Sequence, residues 1–550
     1  MTPLVVLKYL MWGLAGAVAI FRPALGESFF GTLETLGQRI ARHRTISFLS
    51  IGLLVLLVRG ALLPFWPVPK PVIYDEFGYI LQADTFAHGR LTNPPHPLWQ
   101  FFESPYILQH PSYAAKYPPG QSLAMAAGQI LFEDPWFGVW LSCGVMAAAL
   151  VWAMQGWLSP GWSLAGGLLA MPLAINSYWM NSYWGGAVAA IGGALLLGGY
   201  ARVVKRRQLW YGLAMGSGLA IVANTRPFEG LIFAIPVMTM FIISRPRFGA
   251  VKWGAAALIS AVLLPALALT AWFNHAVTGS ALQMPFTEYA RQYARIPLFS
   301  FQPLHNAGPY VTSIMADLHQ KWEPGEWAKA RSWQLVPERL KDWREIATTV
   351  LGSTAMGLIV VVFLIRLWHD QRIRLPLIAL GCAAAGSLIE IRYYQHYFGP
   401  ATAALFIVTV QAFRHLRLRK PRGQPMGRFL TRAIPVLVLG MVVANQMAVI
   451  VRQEQPENSQ PSNARRDQVA TKLLDDQMGQ HVILVRYTGH QSPHEEWVYN
   501  GAEIDRQDVI WAHDLGTAEN RRLLEYYKNR RIWLLQPAIN PTRLTPYTQP

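Results

Sequence analysis

The stretch 46–79 reads ISFLSIGLLVLLVRGALLPFWPVPKPVIYDEFGY. Its first part, 46–66, is almost wholly apolar, and a membrane-spanning helix needs about 20 such residues. A proline-rich connection then leads to two adjacent carboxylates, Asp75 and Glu76. This order predicts acidic side chains held at a membrane surface, directly after a spanning helix. A solvated pair that favours a helix N-terminus is the alternative interpretation.

The composition predicts the same class of protein. Of 550 residues, 52% are hydrophobic and 14% are charged, whereas about 25% are charged in an ordinary soluble domain. The net charge of +17 resembles that of a nucleic-acid-binding protein. However, Lys and Arg stand mostly in short clusters between apolar runs, where they act as topology signals. We therefore exclude nucleic acid as a partner and expect a polytopic membrane protein.

Apolar runs long enough or nearly long enough to span occur eleven times along the chain. A further apolar segment, Met1–Phe21, carries Lys8 and shows no clear cleavage site. We interpret it as an uncleaved helix that either spans or lies at the interface. The predicted spans are 46–66, 136–157, 162–177, 182–201, 208–224, 227–243, 253–273, 347–366, 374–390, 397–413 and 429–450.

Basic clusters orient these spans. With eleven alternating spans, all clusters fall on one side, which the positive-inside rule makes cytoplasmic. The clusters lie at 39–44, 202–207, 245–252, 366–374 and 414–422. The outer face then receives the loops 67–135 and 274–346 and the tail 451–550. We expect three units: 1–45, an apolar helix with a cytoplasmic basic segment; 46–450, the transmembrane core; and 451–550, an external domain.

The tail reads as a small α/β domain. After a linker at 453–463 we predict a helix near 465–478 and a second helix at 517–529. Three strands at 481–487, 509–513 and 531–535 alternate with these helices, which favours a short parallel sheet. Because it lacks a glycine-rich phosphate loop and a nucleophile elbow, we interpret it as a binding or packing module.

The first loop carries motifs in a recognisable order. They are Asp75 to Asp84, His88-Gly89, Lys116-Tyr117-Pro118-Pro119-Gly120, and a predicted surface helix that ends at Phe132-Glu133-Asp134. This order resembles the GT-C superfamily of membrane glycosyltransferases, and in particular the bacterial branch with lipid A aminoarabinose transferases and protein O-mannosyltransferases. The resemblance covers about 46–410. It implies that Asp75 occupies the catalytic acidic-residue position with Glu76 beside it, and that Lys116, next to Tyr117, approaches the phosphate of a polyprenyl-linked donor.

The sequence departs from the aminoarabinose-transferase pattern just before this lysine. Ala115 stands where that pattern has a carboxylate, which puts a metal at this site in doubt. Nearby His110 could replace that carboxylate as a metal ligand. The alternative interpretation is a solvated loop histidine. The sequence thus identifies no cofactor and leaves a divalent metal open.

Two further clusters lie at outer helix junctions. Arg226 with Glu229 is either a structural ion pair or part of a phosphate site, for which a guanidinium is well shaped. Late in the chain, Arg392, Tyr394 and His396 resemble the Arg-Tyr motif near the donor phosphate of GT-C enzymes, although Tyr at a helix end is often an interfacial belt. We expect Lys116, Arg226 and Arg392 to converge opposite Asp75.

The sequence therefore predicts an all-α GT-C-like membrane core with a small C-terminal external α/β domain. The predicted activity is transfer of a hexosyl or pentosyl group to a lipid, glycan or protein acceptor at the outer face of the cytoplasmic membrane. The predicted donor is linked to a polyprenyl phosphate or a polyprenyl diphosphate. Asp75 would be the general base. The alternatives are a transporter or flippase for a lipid-linked saccharide, and a non-catalytic partner in polysaccharide export. No internal repeat of the kind that transporters carry is evident.

Overall fold

The computed structural model describes residues 3–244, 249–306, 308–452, 465–476, 479–487, 492–537 and 543–548. The predicted linker 453–463 and the basic residues Arg245 and Arg247 lie outside these ranges.

Within the described residues, each of the eleven predicted spans contains helix. Five helices are long and apolar enough to cross a membrane, and a bent pair would make a sixth; the others are shorter. The helices are Arg44–Ala61, Trp136–Met154, Pro160–Asn176, Ala187–Arg206, Gly212–Ala223, Pro227–Ile243, Gly249–Thr278, the pair Leu335–Leu351 and Thr354–Val362, Arg374–Gly386, Thr402–Arg417 and Met426–Arg452. The N-terminal helix Pro3–Phe21 packs against the last of them.

The prediction of one continuous helix at 347–366 is wrong. Helix Leu335–Leu351 ends at Gly352, whose φ of 73° lies in the left-handed region that glycine adopts without strain. The Ser353 hydroxyl then caps the next helix by accepting from the Ala355 amide at 3.2 Å. The two helices differ in direction by 107°. A left-handed glycine and a serine cap therefore bend the chain at a point where hydropathy alone predicts one continuous helix.

The bundle is built around helix Ala187–Arg206. Of its most apolar stretch, 78% is buried inside the protein. The corresponding stretch of helix Gly249–Thr278 is 11% buried and faces outward. Glycines let neighbouring backbones approach the central helix closely, as in other membrane helix pairs. A Cβ on Gly193, for example, would lie 1.9 Å from the carbonyl oxygen of Pro400. Small residues thus fix the core of the bundle.

Several predicted cytoplasmic clusters meet at one end of the bundle, which we name the basic face. The Lys205 ammonium donates to the Arg372 carbonyl at 3.2 Å. Arg417 and Arg432 both bind Glu34, each at 2.9 Å. Clusters that are distant in the sequence are therefore neighbours, as the alternation of spans predicts.

The two long loops and the C-terminal domain meet at the other end, the loop face. The first loop contains helices Tyr74–Ala87 and Gly120–Phe132 and paired strands Ile107–Leu108 and Ala114–Ala115. The predicted surface helix is present at Gly120–Phe132. Its outer side is apolar and exposed, which suits a helix lying in a membrane interface.

The second loop packs directly on the first. It contains helix Pro285–Gln292 and a π-helical turn, Asp317–Trp322, that leads into helix Glu323–Ala330. The amides of Val311 and Thr312 both donate to the Glu103 carboxylate at 3.0 Å, which joins the loops.

The C-terminal domain has the predicted helices, Arg466–Asp476 and Thr517–Tyr526, and the three predicted parallel strands. A fourth strand, Arg543–Pro546, pairs antiparallel at the edge and was missed because it is short and polar. The sheet order is Val509–His513, His481–Val485, Arg531–Gln536 and Arg543–Pro546.

This domain docks on the first loop through polar contacts. The Ala502 amide donates to the Asp84 carboxylate at 2.7 Å, and Arg90 binds Glu503 at 2.9 Å. Tyr499 adds an apolar contact by stacking on Phe77 with ring centroids 4.2 Å apart. The domain therefore covers the helix that carries the adjacent carboxylates.

The sidedness of the two faces predicts a labelling pattern. In a Cys382→Ser background, we introduce one cysteine at a time. One variant replaces Lys420 on the basic face, and the other replaces exposed Glu519 in the C-terminal domain. In sealed right-side-out vesicles, an impermeant maleimide should label position 519 only. Labelling of both positions before lysis would contradict the predicted topology.

Candidate active site

Asp75 lies in the first turn of helix Tyr74–Ala87, where the helix dipole favours a negative charge. The Tyr117 hydroxyl donates to its Oδ1 atom at 2.7 Å. The Tyr117 ring stacks on Tyr79 at 4.1 Å, and it fits there because a Cβ on Gly78 would lie only 2.7 Å from it. The predicted neighbours Asp75 and Tyr117 are thus in direct contact.

Glu76 turns away from this contact. Its carboxylate accepts from three backbone amides, those of Val72 at 2.7 Å, Ile73 at 3.1 Å and Tyr183 at 3.1 Å. It caps its own helix and joins it to the junction near Tyr183, which is a structural function. A chemical role for Glu76 stays a prediction, and these contacts make it the lesser of the two carboxylates.

Lys116 is held in a cage of aromatic rings. Its ammonium lies 3.1 Å from the ring centroid of Tyr106, and three further rings lie within 5.7 Å. These are Tyr117 of the first loop and Phe286 and Tyr289 of the second. In the part of the chain that the structure describes, no carboxylate is within ion-pair distance of Lys116. Cation–π contacts replace the missing counter-ion.

Burial lowers the pKa of Lys116 to about 7, although the charges of Asp75 and Glu323 act in the opposite direction. Arg392 and Arg226 lower it further. All four groups therefore lie within electrostatic range of the ammonium, so the structure brings together the cations and the carboxylate that the sequence predicts. A caged cation with two arginines nearby has the positive charge that an anion site requires.

Arg392 is positioned by three contacts. It binds the Glu323 carboxylate at 3.2 Å, donates to the Tyr106 hydroxyl at 3.3 Å, and lies 4.7 Å from the Trp322 ring. Burial favours the neutral form of Glu323, but the hydrogen bond and charge of His319 and the charge of Arg392 prevail and hold its pKa below the usual value. Arg392 therefore has a fixed counter-ion in the second loop.

The sequence interpretation missed Glu323 and its partners. His319 contacts Glu323 at 2.8 Å and the Tyr289 hydroxyl at 3.0 Å, and both His319 and Glu323 are buried. The available signal was a His and a Glu four residues apart in a polar loop. They lie on and just after the π-helical turn, a feature that is frequent at functional sites.

Arg226 and Glu229 do not form the ion pair that was the alternative interpretation. Arg226 lies 4.3 Å from the Tyr397 ring, and the described residues place no carboxylate within ion-pair distance of it. Glu229 instead lines a lateral cavity with Glu390 and Tyr393. Asp75 and Lys116 are not among the lining residues in the described ranges. Tyr397, on which Arg226 packs, does line this cavity, and Arg226 lies within electrostatic range of Glu229.

Tyr394 and His396 belong to an aromatic cluster at the rim. Their rings stack with centroids 5.9 Å apart, and Trp184 meets Tyr394 edge-on at 6.1 Å. The His396 ring is buried and its Nδ1 contacts the Tyr178 hydroxyl at 2.8 Å. Tyr394 is half exposed and available to a ligand, whereas His396 supports the cluster; substrate binding by both stays a prediction.

The described residues contain no group of three or more His, Cys, Asp or Glu side chains arranged to hold a metal ion. Ala115 lies in a short strand without a ligating group. His110 is exposed and its ring packs against Trp99 at 5.0 Å. The donor set expected of a metal site is therefore not assembled by these residues.

No protein-family model matches the sequence, and no curated protein matches it either. Solved structures do match. ArnT from Cupriavidus metallidurans bound to undecaprenyl phosphate is 12% identical with a TM-score of 0.50, covering 89% of this chain and 92% of that one. The same enzyme in the apo state is 13% identical, also with a TM-score of 0.50, covering 90% and 93%. The chain has a GT-C-like fold.

The contacts of Glu76 predict a stability defect on substitution. In Glu76→Gln, one oxygen becomes an NH₂ group that faces a backbone N–H, and an unsatisfied buried donor costs about 1–3 kcal/mol. We expect a lower thermal unfolding midpoint in detergent, measured above neutral pH because burial raises the pKa of Glu76. The matched control Asp75→Asn should unfold near the wild-type temperature. Equal midpoints for wild type and Glu76→Gln would contradict the capping role.

Proposed function

We propose that this protein is a membrane glycosyltransferase that takes a sugar from a polyprenyl-phosphate donor and transfers it to an acceptor at the loop face. The observation that carries the proposal is the Lys116 ammonium, buried in an aromatic cage within electrostatic range of Arg392, Arg226 and Asp75. It combines an anion site with a carboxylate at a membrane surface. ArnT, whose fold is similar, has been captured with undecaprenyl phosphate.

The proposed reaction is a displacement at the anomeric carbon. Asp75 accepts the proton of the acceptor O–H or N–H group while the acceptor heteroatom bonds to that carbon. The bond from the anomeric carbon to the phosphate oxygen breaks, and the polyprenyl phosphate leaves with the electron pair. Lys116 and Arg392 stabilise the charge that develops on the phosphate.

The arrangement of charges favours this function over transport. The site residues belong to two loops and to helix ends at one face, rather than to the middle of spans, where a transporter places its ionisable groups. Because the basic clusters mark the opposite face as cytoplasmic, we place the reaction at the outer face of a cytoplasmic membrane.

Asp75→Asn tests the proposed base. Asparagine keeps the size and the contact with Tyr117 but cannot accept the proton, so turnover should fall by about 100- to 10,000-fold. The measurement is undecaprenyl phosphate released from a panel of undecaprenyl-phosphate-linked sugars incubated with an envelope extract. This product is common to every sugar and every acceptor.

Binding of undecaprenyl phosphate to Asp75→Asn should stay within a few-fold of wild type, which separates chemistry from donor binding. Wild-type turnover by Asp75→Asn would refute the mechanism. Absence of release by the wild type from every donor would refute the function.

The lowered pKa of Lys116 predicts that the protein takes up a proton when it binds undecaprenyl phosphate. At about pH 8, above its pKa of about 7, most of Lys116 is neutral. A bound phosphate raises that pKa, so up to about one proton should be taken up per site, and uptake should decrease as the pH falls through about 7 and Lys116 becomes charged. The lipid phosphate itself, with a second pKa near 6, exchanges little at this pH. Calorimetry in buffers of different ionisation enthalpy measures the uptake.

Lys116→Arg is the matched variant, because a guanidinium stays charged. It should bind without proton uptake, whereas Lys329→Arg on the exposed surface should behave as wild type. Undiminished uptake by Lys116→Arg would assign the proton to another group.

A further inference from the structure

One segment of the C-terminal domain, 492–500, follows the first loop closely. Asn500 accepts from the Tyr113 hydroxyl at 3.1 Å, Val498 accepts from the Ser104 hydroxyl, and Tyr499 stacks on Phe77. The Ser492 hydroxyl accepts from the His494 amide at 3.3 Å and closes the turn Pro493–Glu495. His494 is thus presented on a turn that is anchored at its far end.

The His494 ring lies between the two loops. It stacks on Tyr74 with centroids 5.3 Å apart, and it meets the Trp322 ring edge-on at 5.1 Å. Tyr74 directly precedes Asp75 in the chain. Trp322 directly precedes Glu323, and the Arg392 guanidinium packs on its ring. His494 therefore contacts a neighbour of the carboxylate and a neighbour of the anion site at once.

We propose that His494 of the C-terminal domain completes the wall of the site and positions the acceptor's hydroxyl or amine beside Asp75. This inference rests on the function proposed above. It gives the C-terminal domain a part in acceptor recognition instead of packing alone.

The chemistry of the ring suits an acceptor more than a phosphate. Burial lowers the pKa of His494, and Arg392 lowers it further, while Asp75 opposes both. A neutral imidazole offers one hydrogen-bond donor and one acceptor, which match a hydroxyl or an amine. The lipid phosphate already has Lys116 and Arg392, so loss of the imidazole should leave donor binding intact.

His494→Phe is the decisive variant, because phenylalanine keeps the ring contacts with Tyr74 and Trp322 and removes both nitrogens. At saturating donor we titrate a detergent extract of the envelope and measure undecaprenyl phosphate release. Loss of one hydrogen bond should raise the half-saturating extract concentration by about tenfold. The Kd for undecaprenyl phosphate should stay within about twofold, and the maximal rate should fall less than in Asp75→Asn. His494→Gln, which retains a donor and an acceptor, should recover part of the loss.

Exposed His305 on the second loop provides the matched control, His305→Phe, which should leave every parameter at the wild-type value. If His494→Phe has the wild-type half-saturating concentration, His494 only packs and the inference is wrong. A raised Kd for undecaprenyl phosphate would instead assign His494 to the donor side, which also overturns it. Failure of the underlying function is distinct, because the wild type itself would then release no undecaprenyl phosphate.

Discussion

The Lys116 ammonium is buried among four aromatic rings, and no carboxylate of the described residues is within ion-pair distance. Burying a cation without a counter-ion is costly, and the rings and the more distant charges of Asp75 and Glu323 offset only part of that cost. An incoming anion would offset the rest. The cage takes Tyr106 and Tyr117 from one loop and two rings from the other, so it exists only when both loops are docked.

Carboxylates that bind backbone amides hold those loops in place. Glu76 anchors the start of helix Tyr74–Ala87, Glu103 joins the two loops, and Asp84 receives the Ala502 amide of the C-terminal domain. Asp75 differs from them because it accepts a hydrogen bond from a side-chain hydroxyl, that of Tyr117. Of these four carboxylates, the proposed general base is therefore the one that no backbone amide of the described residues binds.

The contacts of the C-terminal domain indicate more about it than its sequence does. Its parallel strands carry no catalytic motif, and the sequence favours a binding or packing module. In the structure it covers helix Tyr74–Ala87 through Tyr499 and reaches the second loop through His494. Under the inference about His494, the domain forms part of the wall of the proposed site as well as its cover.

The sequence by itself determined the helical membrane class, the positions of most apolar helices, the surface helix and the α/β tail, and it singled out Asp75, Lys116 and Arg392 as candidate site residues, because hydropathy, charge clusters and motif order can be read along the chain. Only the tertiary structure decided that Glu76 caps its helix, that Glu229 lines a cavity with Glu390, that Glu323 pairs with Arg392, and that His494 packs on Tyr74 and Trp322. These outcomes depend on which side chains meet across hundreds of residues, and no local pattern encodes such a contact. The break at Gly352 has the same origin, since hydropathy records burial in lipid and not the backbone angle of one glycine.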